Sequence, residues 1–555
     1  MAIGTTLDVG RTAEELAEAM VPGFADLVTV DLAASVLRGE EPAGREETWC
    51  RVASRDIHGN RVPAPSGGPI TFAPGSPQLR SLATGQALMK SELLTTTWWR
   101  GGREPEGAQG TADEGLHSLI TVPLTARGVV LGVVGLWRSE NPQAFEEDDL
   151  ALAEEMSTRA AVCIENARRY VREHTTATTL QRSLLPRDVP DHTAVEVAHR
   201  YRPTGEGGGG DWFDVIPLSG TRVALVVGDV VGHGLYATAT MGRLRTAVHN
   251  FSVLDLPPDE LLSRLDELVD RNDTRGTVEE TIGHVSGATC LYSIYDPTTG
   301  TCIVARAGHP PPVVVDDEGV VRSLEVPASP SLGMGRGLPF EAAEFQLPEG
   351  SRLVLYTDGL VRDRDPDLLH TTLACTAGLT PEETCTRILE TMVVGEPQDD
   401  IALLVARTNR LDPAQTAQWR VPADPAAVAS VRSECLRQLE QWGLGEISYA
   451  TELILSELIT NAVRYGAEPI RVRMLYDRTL ICEVFDASST APHLRRAATT
   501  DEGGRGLFLV AQLTERWGTR YFARGKVIWA EQPLNGEAME PNADATEALL
   551  EQWGD

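Results

Sequence analysis

Four stretches carry aspartates in a setting that can do chemistry: GGGGDWFDVI with Asp211 and Asp214, GDVVGHG with Asp229, YTDGL with Asp358, and QDDIALLVAR with Asp399 and Asp400. A lone Asp-Gly is an ordinary turn. Four such sites, each beside a strand-like run and flanked by glycine or a second acid, form a set. Carboxylates at strand ends, directed into one cleft, hold hard divalent cations such as Mg²⁺ or Mn²⁺, which take oxygen ligands and keep several waters. Two such ions lower the pKa of a bridging water and clamp a phosphoryl group for in-line attack. That chemistry needs no serine or cysteine nucleophile, and the sequence shows no nucleophile motif.

A second constellation lies near the C-terminus. Glu457 and Asn461 in SELITNAVRYG are four apart and share one face of a helix. A carboxylate and an amide on a mostly apolar helix suit a water-activating base beside a Mg²⁺ ligand. Further on, GGRGLFLVAQL is a glycine-rich loop opening a helix, an arrangement that cradles phosphates.

The elements that must position these groups follow from apolar patterning. Val223–Val227 is an unbroken β-prone run that delivers Gly228-Asp229 at a strand end where a sharp turn is expected. Arg352–Tyr356 feeds Asp358, and Ile401–Ala406 follows Asp399-Asp400. In the N-terminal third, Thr12–Met20 reads as an amphipathic helix, Ala25–Leu32 as a strand, and Ser54–Ser91 as loop. Ser118–Leu124 and Val129–Trp137 read as paired strands, and a helix starts at Phe145 with acids in its first turn, suited to the dipole. That helix runs on to Leu185, where Pro186 stops it. It either dimerises as a coiled coil or docks on its neighbour; both readings stay open. Pro425–Trp442 and Ile447–Tyr465 read as helices, with strands at Arg471–Tyr476 and Thr479–Phe485, the latter ending at Asp486.

Length and charge bound the rest. At 555 residues the chain is too long for one core, and about three domains are expected. A net charge of -31 disfavours holding a nucleic-acid backbone, which rests on Lys and Arg neutralising phosphates. The eight cysteines form no Cys-x-x-Cys pair, so no zinc signature exists and buried thiols in a reducing compartment are expected. With no secretory signal and no apolar run near the ~20 residues that span a bilayer, a cytoplasmic protein without membrane segments is expected.

Three resemblances follow from these residues. PLTARGVVLGVVGLW followed by FEEDDLALAEEMSTRAAVCIENARRY resembles a GAF sensor domain (residues 1–168), which implies an unidentified small ligand. Trp98 and Trp99 either line its pocket or cap its core, and Cys163 is expected to pack. After a signalling helix (169–187), the ordered set GGGGDWFDV, VGDVVGHG, ARAGHPPPVVV, YTDGL and QDDIALLVAR resembles the PPM-type serine/threonine phosphatases, in the branch of the stage II sporulation phosphatase (188–408). The resemblance implies metal ligation by Asp211, Asp229, Asp358 and Asp399, with Val230 as a backbone-carbonyl ligand. Asp400 stands behind them, Asp214 is structural, and His233 and His309 are each read as a general acid or a loop anchor, with the loop role favoured. The extra glycines before Asp211 and the missing phosphate-binding arginine leave substrate binding open. Beyond a linker (409–418), residues 419–534 resemble the GHKL ATPases, specifically the anti-sigma-factor serine kinases. Glu457 then matches the general base, Asn461 the Mg²⁺ ligand, Asp486 the reader of the adenine amino group, and Gly504, Arg505 and Gly506 the phosphate loop. Ala487-Ser488-Ser489 departs from that family's glycines, so ATP binding is expected more than kinase turnover. The tail, 535–555, is expected to be disordered.

The expected fold is thus multidomain α+β: a GAF-like α/β sensor, a PPM-type α-β-β-α sandwich and a GHKL (Bergerat) α/β sandwich. The expected function is dephosphorylation of an anti-anti-sigma protein of the STAS fold, with two Mn²⁺ or Mg²⁺ ions, ATP with Mg²⁺ in the last domain, and a sigma factor as a further partner. A homodimer through the helix belongs to the coiled-coil reading. The competing readings are an anti-sigma binding module, or a kinase with a regulatory phosphatase domain.

Overall fold

The computed structural model describes residues 3–42, 47–58, 68–92, 116–186, 189–204, 207–273, 287–335, 337–362, 364–395, 397–490, 506–522 and 524–534. The chain divides into two compact units, Met1–Thr176 and Ala177–Asp555.

The first unit is built on six antiparallel strands: β1 (Leu27–Ala33), β2 (Trp49–Asp56), β3 (Pro69–Ile70), β4 (Leu88–Lys90), β5 (Ser118–Ala126) and β6 (Val129–Arg138), in the order β3-β2-β1-β6-β5-β4. The helices are α1 (Val9–Met20), α2 (Ala34–Leu37), α3 (Pro77–Thr84) and α4 (Glu147–Leu184). Leu16 and Met20 of α1 and Ile164 of α4 join Val30, Leu131 and Leu136 of the sheet in one core. Ser54–Ser91, expected as loop, instead holds the end of β2 with β3, α3 and β4. Local signals for α3 were present: Ser76 caps Leu79 N, Pro77 opens the helix and Gly85 closes it at φ 68°. The α4 helix starts at Glu147, later than expected, because Phe145 is buried and its N–H is held by Ser118 Oγ at 2.9 Å. Cys163 packs against Gly4, as expected of a packing role. Trp98 and Trp99 lie outside the described residues.

The second unit opens with ten strands: β7 (Val195–Arg202), β8 (Trp212–Pro217), β9 (Val223–Val230), β10 (Ala288–Asp296), β11 (Thr301–Ala307), β12 (Val313–Val315), β13 (Val321–Ser323), β14 (Ala342–Gln346), β15 (Arg352–Tyr356) and β16 (Ile401–Thr408). They form two five-stranded sheets, β14-β11-β10-β9-β8 and β13-β12-β15-β16-β7. Phe213, Leu225, Val227 and Leu291 of one meet Leu353, Leu355 and Leu404 of the other in a shared core. Helices α5 (Gly234–Val253) and α6 (Pro258–Asp273) bury Met241, Leu244 and Leu265 on the outside of the first sheet. Helices α7 (Pro366–Ala374) and α8 (Pro381–Met392) do the same on the second with Leu373 and Ile388. This is the expected α-β-β-α sandwich.

The last sheet has the order β17-β18-β19-β21-β20, from β17 (Thr416–Val421), β18 (Ile470–Tyr476), β19 (Thr479–Asp486), β20 (Arg516–Phe522) and β21 (Gly525–Pro533). Helices α9 (Pro425–Gln441), α10 (Ser448–Tyr465) and α11 (Gly506–Leu513) cover one face through Cys435, Leu455, Leu458 and Val510. Thr416–Gln418, read from sequence as linker, opens β17 because it pairs with Arg473–Leu475 of β18. Among the described residues no helix is long and apolar enough to cross a membrane.

Candidate active site

The β8–β9 hairpin carries the first two aspartates side by side. Asp211 precedes Trp212, which pairs with Gly228, so Asp211 lies across from Asp229. The strand does not end at Gly228-Asp229 as expected: Asp229 pairs with Thr289 and Val230 with Ala288, and this ladder carries the strand on. The sharp turn falls later, at Gly232-His233-Gly234, where the glycines adopt φ 107° and 82°. Asp211 is 2% exposed, and its Oδ2 has no hydrogen-bond partner. Burial, then the neighbouring Asp229, holds its carboxyl well above the usual range. Asp229 is pushed up to about 6, by burial first and also by the charges of Asp358 and Asp399.

The other two aspartates come from the second sheet. Thr357 N donates to Ala402 O at 3.0 Å and Ala402 N to Thr357 Oγ1 at 2.9 Å, which ties the end of β15 to the start of β16. Asp358 and Asp399 are thereby brought together, and Arg362 bridges them, with Nη2 2.7 Å from Asp358 Oδ2 and Nη1 on Asp399 Oδ2. Arg362 is one helical turn from Asp358, a spacing visible in the sequence, yet the sequence reading missed it. Among the described residues no three His, Cys, Asp or Glu side chains stand close enough to close on one ion. The aspartates form two facing pairs, one buried and repulsive, the other bridged by a guanidinium.

Behind them Asp400 is buried and fully engaged. It accepts from Thr204 N at 2.7 Å, Thr204 Oγ1 at 3.1 Å, Gln181 Nε2 at 3.2 Å and the Tyr201 hydroxyl. Gln181, in the last turns of α4, also donates to Gly209 O at 3.1 Å. The glycine run before Asp211 has a steric reason. A Cβ on Gly210 would lie 2.1 Å from Val230 O. Gly210→Ala is therefore expected to push the Val230 carbonyl and Asp211 apart and to cost about 1–3 kcal/mol, read from the denaturant midpoint. Asp214 is held away from this cluster by Arg245 Nε at 2.9 Å. His309 is buried, with Nδ1 3.1 Å from Pro310 O, and burial pushes it down to about 4, so it is a neutral ring holding a loop near neutrality. His233 is exposed and its backbone bridges to Gly209.

In the C-terminal sheet, Glu457 and Asn461 lie half-buried on α10. Gly506, the first residue of α11, lies so close that a Cβ there would sit 2.1 Å from Glu457 Oε2. Asp486 is 1% exposed, and its Oδ1 accepts from Lys526 Nζ at 3.1 Å and Ser488 N at 2.8 Å. No sequence signal pointed to Lys526, which comes from a different strand. Gly504 and Arg505 lie outside the described residues.

Family models match three successive parts of this architecture. A GAF domain model matches residues 7–165, a model described as Stage II sporulation protein E matches 219–409, and one described as histidine kinase-like ATPase domain matches 421–531. The chain carries a GAF domain, a SpoIIE-type phosphatase domain and a histidine kinase-like ATPase domain, in that order.

Two curated relatives each match about a third of the chain. Protein IcfG of Synechocystis sp. is 24% identical over 205 residues, covering 34% of this chain and 32% of that protein. Phosphoserine phosphatase RsbP of Bacillus subtilis is 27% identical over 170 residues, covering 30% of this chain and 40% of that protein. The matches thus span well under half the length of these relatives. Among solved structures, the RsbU and RsbW domains of Rv1364c from Mycobacterium tuberculosis are 25% identical, covering 63% of this chain and 96% of that one, with a TM-score of 0.36. The PP2C phosphatase domain of SpoIIE from Bacillus subtilis is 19% identical, covering 39% of this chain and 64% of that one, with a TM-score of 0.33. Asp229, Asp358 and Asp399 fall within the part matched by the Stage II sporulation protein E model, Asp211 lies just ahead of it beside β8, and Glu457, Asn461, Asp486 and Gly506 fall within the part matched by the ATPase model.

Proposed function

We propose that this protein is a metal-dependent serine/threonine protein phosphatase, regulated through its GAF domain, that acts on a phosphorylated anti-anti-sigma protein of the STAS fold. The observation that carries the reading is Asp211: a buried carboxylate with a partnerless oxygen, set against Asp229 and within the field of Asp399 and Asp358 through it. Such an arrangement is unfavourable on its own and becomes favourable around a hard cation. Asp211, Asp229, the Val230 carbonyl, Asp358 and Asp399 are the donors that would hold two Mn²⁺ or Mg²⁺ ions. Bound there, these ions supply an activated water and charge neutralisation for phosphoryl transfer.

The protein's own contribution is placement. Thr357 sets Asp358 beside Asp399, Asp400 gathers Thr204, Tyr201 and Gln181, Gly209 leaves room for the Asp400 carboxylate, and Gly210 lets Asp211 approach Val230. The ATPase domain would bind Mg²⁺-ATP with Glu457, Asn461, Asp486 and the 504–506 loop, and act on the same switch as an anti-sigma factor. Ala487-Ser488-Ser489, where the resembled family carries glycines, favours binding over kinase turnover in that domain.

The test is phosphate release from a phosphorylated STAS protein with Mn²⁺, comparing wild type with Asp358→Asn. Release that both EDTA and Asp358→Asn abolish is the expected result. A wild type that releases nothing with excess metal, on this substrate and on an aryl phosphate, removes the phosphatase reading and leaves the anti-sigma binding module.

A further inference from the structure

The helices of the ATPase domain cover one face of its sheet. The other face carries a band of charge, with Arg473 paired to Glu483 across β18 and β19, and Arg520 and Glu531 on β20 and β21. Alternation of this kind normally marks a solvated face. Here Glu483, Arg520 and Glu531 are 3%, 5% and 6% exposed. What covers them is the tip of the β8–β9 hairpin.

Arg520 reaches in two directions, with Nη1 donating to Ser219 Oγ at 2.8 Å and Nη2 to Glu483 Oε1 at 3.1 Å. Arg473 Nε donates to Glu483 Oε2 at 2.6 Å, and its Nη1 to Thr298 Oγ1, in the β10–β11 turn, at 3.3 Å. From the phosphatase side, Arg222 Nη2 donates to Ser219 Oγ and to Asp255 Oδ1, both at 2.7 Å. Gly220 N donates to Glu531 Oε1 at 3.0 Å. A second contact joins the β18–β19 turn to the start of the phosphatase domain, where Arg478 Nη2 lies 3.0 Å from Asp191 Oδ2. Within the network Glu483 has a guanidinium on each oxygen and Ser219 stands between Arg222 and Arg520, while Arg520 Nε is left without a partner.

The hairpin seated in this dock is the one whose opposite end carries Asp211 and Asp229. We propose that the charged face of the ATPase sheet is a docking surface for the phosphatase domain of the same chain, and that it fixes the hairpin presenting these two aspartates. The occupant is Leu218–Arg222, together with the β10–β11 turn. Arg520 and Glu483 are positioning residues in this arrangement. The same face is then closed to outside proteins, which must approach the ATPase domain from its helical side or edges. The inference rests on the contacts themselves and stands apart from the turnover proposed above.

Hydrogen exchange on the full chain tests it. In Arg520→Met, amides of residues 218–224, some three hundred positions away, are expected to exchange about tenfold faster or more, because their dock is gone. Ser219→Ala, which removes a single hydroxyl, is expected to raise exchange in Arg516–Phe522 in return. Arg520→Lys, whose one ammonium cannot span both Ser219 and Glu483, is expected to fall between wild type and Arg520→Met. Faster exchange confined to β20 and β21 in Arg520→Met, with the hairpin tip unchanged, would reduce the network to a local feature of the ATPase domain and overturn the proposal. If Arg520→Met does not fold, Ser219→Ala decides: unchanged exchange in β20 overturns the dock.

Discussion

Asp211→Asn is expected to make the metal-free chain more stable while removing its response to metal. In the absence of a cation, the Asp211 carboxylate is buried, has a partnerless oxygen and faces Asp229. Whether it keeps a proton or ionises against its neighbour, folding bears the cost, at about 1.4 kcal/mol for each unit by which the pKa is displaced. Asparagine keeps the shape and removes the repulsion, so a higher denaturant midpoint than wild type in EDTA is expected. With Mn²⁺ the order reverses. Wild type gains roughly 2.7 kcal/mol at a hundredfold excess over its dissociation constant, since the ion binds only the folded state. The variant, with a ligand lost, gains little, and its phosphate release falls by at least about a hundredfold, the upper range seen when merely supporting residues are lost. Denaturant unfolding of both proteins, in EDTA and in Mn²⁺, gives the four numbers. A variant less stable than wild type in EDTA would mean that Asp211 serves the fold, and the donor-set reading would go with it.

The opposite signs explain why these aspartates were legible in the sequence. A site that works against folding is marked by local departures from folding rules: acids at the ends of apolar strands, and glycines where side chains would serve packing better. Asp211, Asp229, Asp358 and Asp399 all carried such marks, as did the run before Asp211. The helix face shared by Glu457 and Asn461 was equally local. What escaped was set by tertiary pairing. Gln181 and Asp400 meet across 219 residues, and no pattern near either predicts the other. Lys526 reaches Asp486 from across a strand pair. The β2 strand, Trp49–Asp56, alternates weakly and takes its identity from pairing with β1. Charged positions were the hardest to judge. Arg473, Glu483, Arg520 and Glu531 alternate with apolar residues as on any half-wet sheet, and patterning names the polar face without saying what lies against it.

That buried polar face carries the second large effect. Glu483→Gln is expected to lower the unfolding free energy of the second unit by about 3–5 kcal/mol near neutrality, because it leaves the buried Arg520 and the half-buried Arg473 without their shared carboxylate. Burial alone would raise the Glu483 pKa; Arg520, Arg473 and Arg222 outweigh it and hold the carboxyl below the ordinary glutamate range. The sign of the pH effect follows. A depressed folded-state pKa contributes stability that is complete above the unfolded value and lost as pH falls through the folded one. The gap between wild type and Glu483→Gln should therefore be widest near neutrality and narrow only in acid below the ordinary glutamate range. Unfolding curves for both proteins across that range measure it. A gap that stayed constant into acid would show that Glu483 acts through packing or as a hydrogen-bond acceptor, and not through its charge. A gap under about 1 kcal/mol, the value of an exposed pair, would mean that water reaches the cluster and that the face is open in solution.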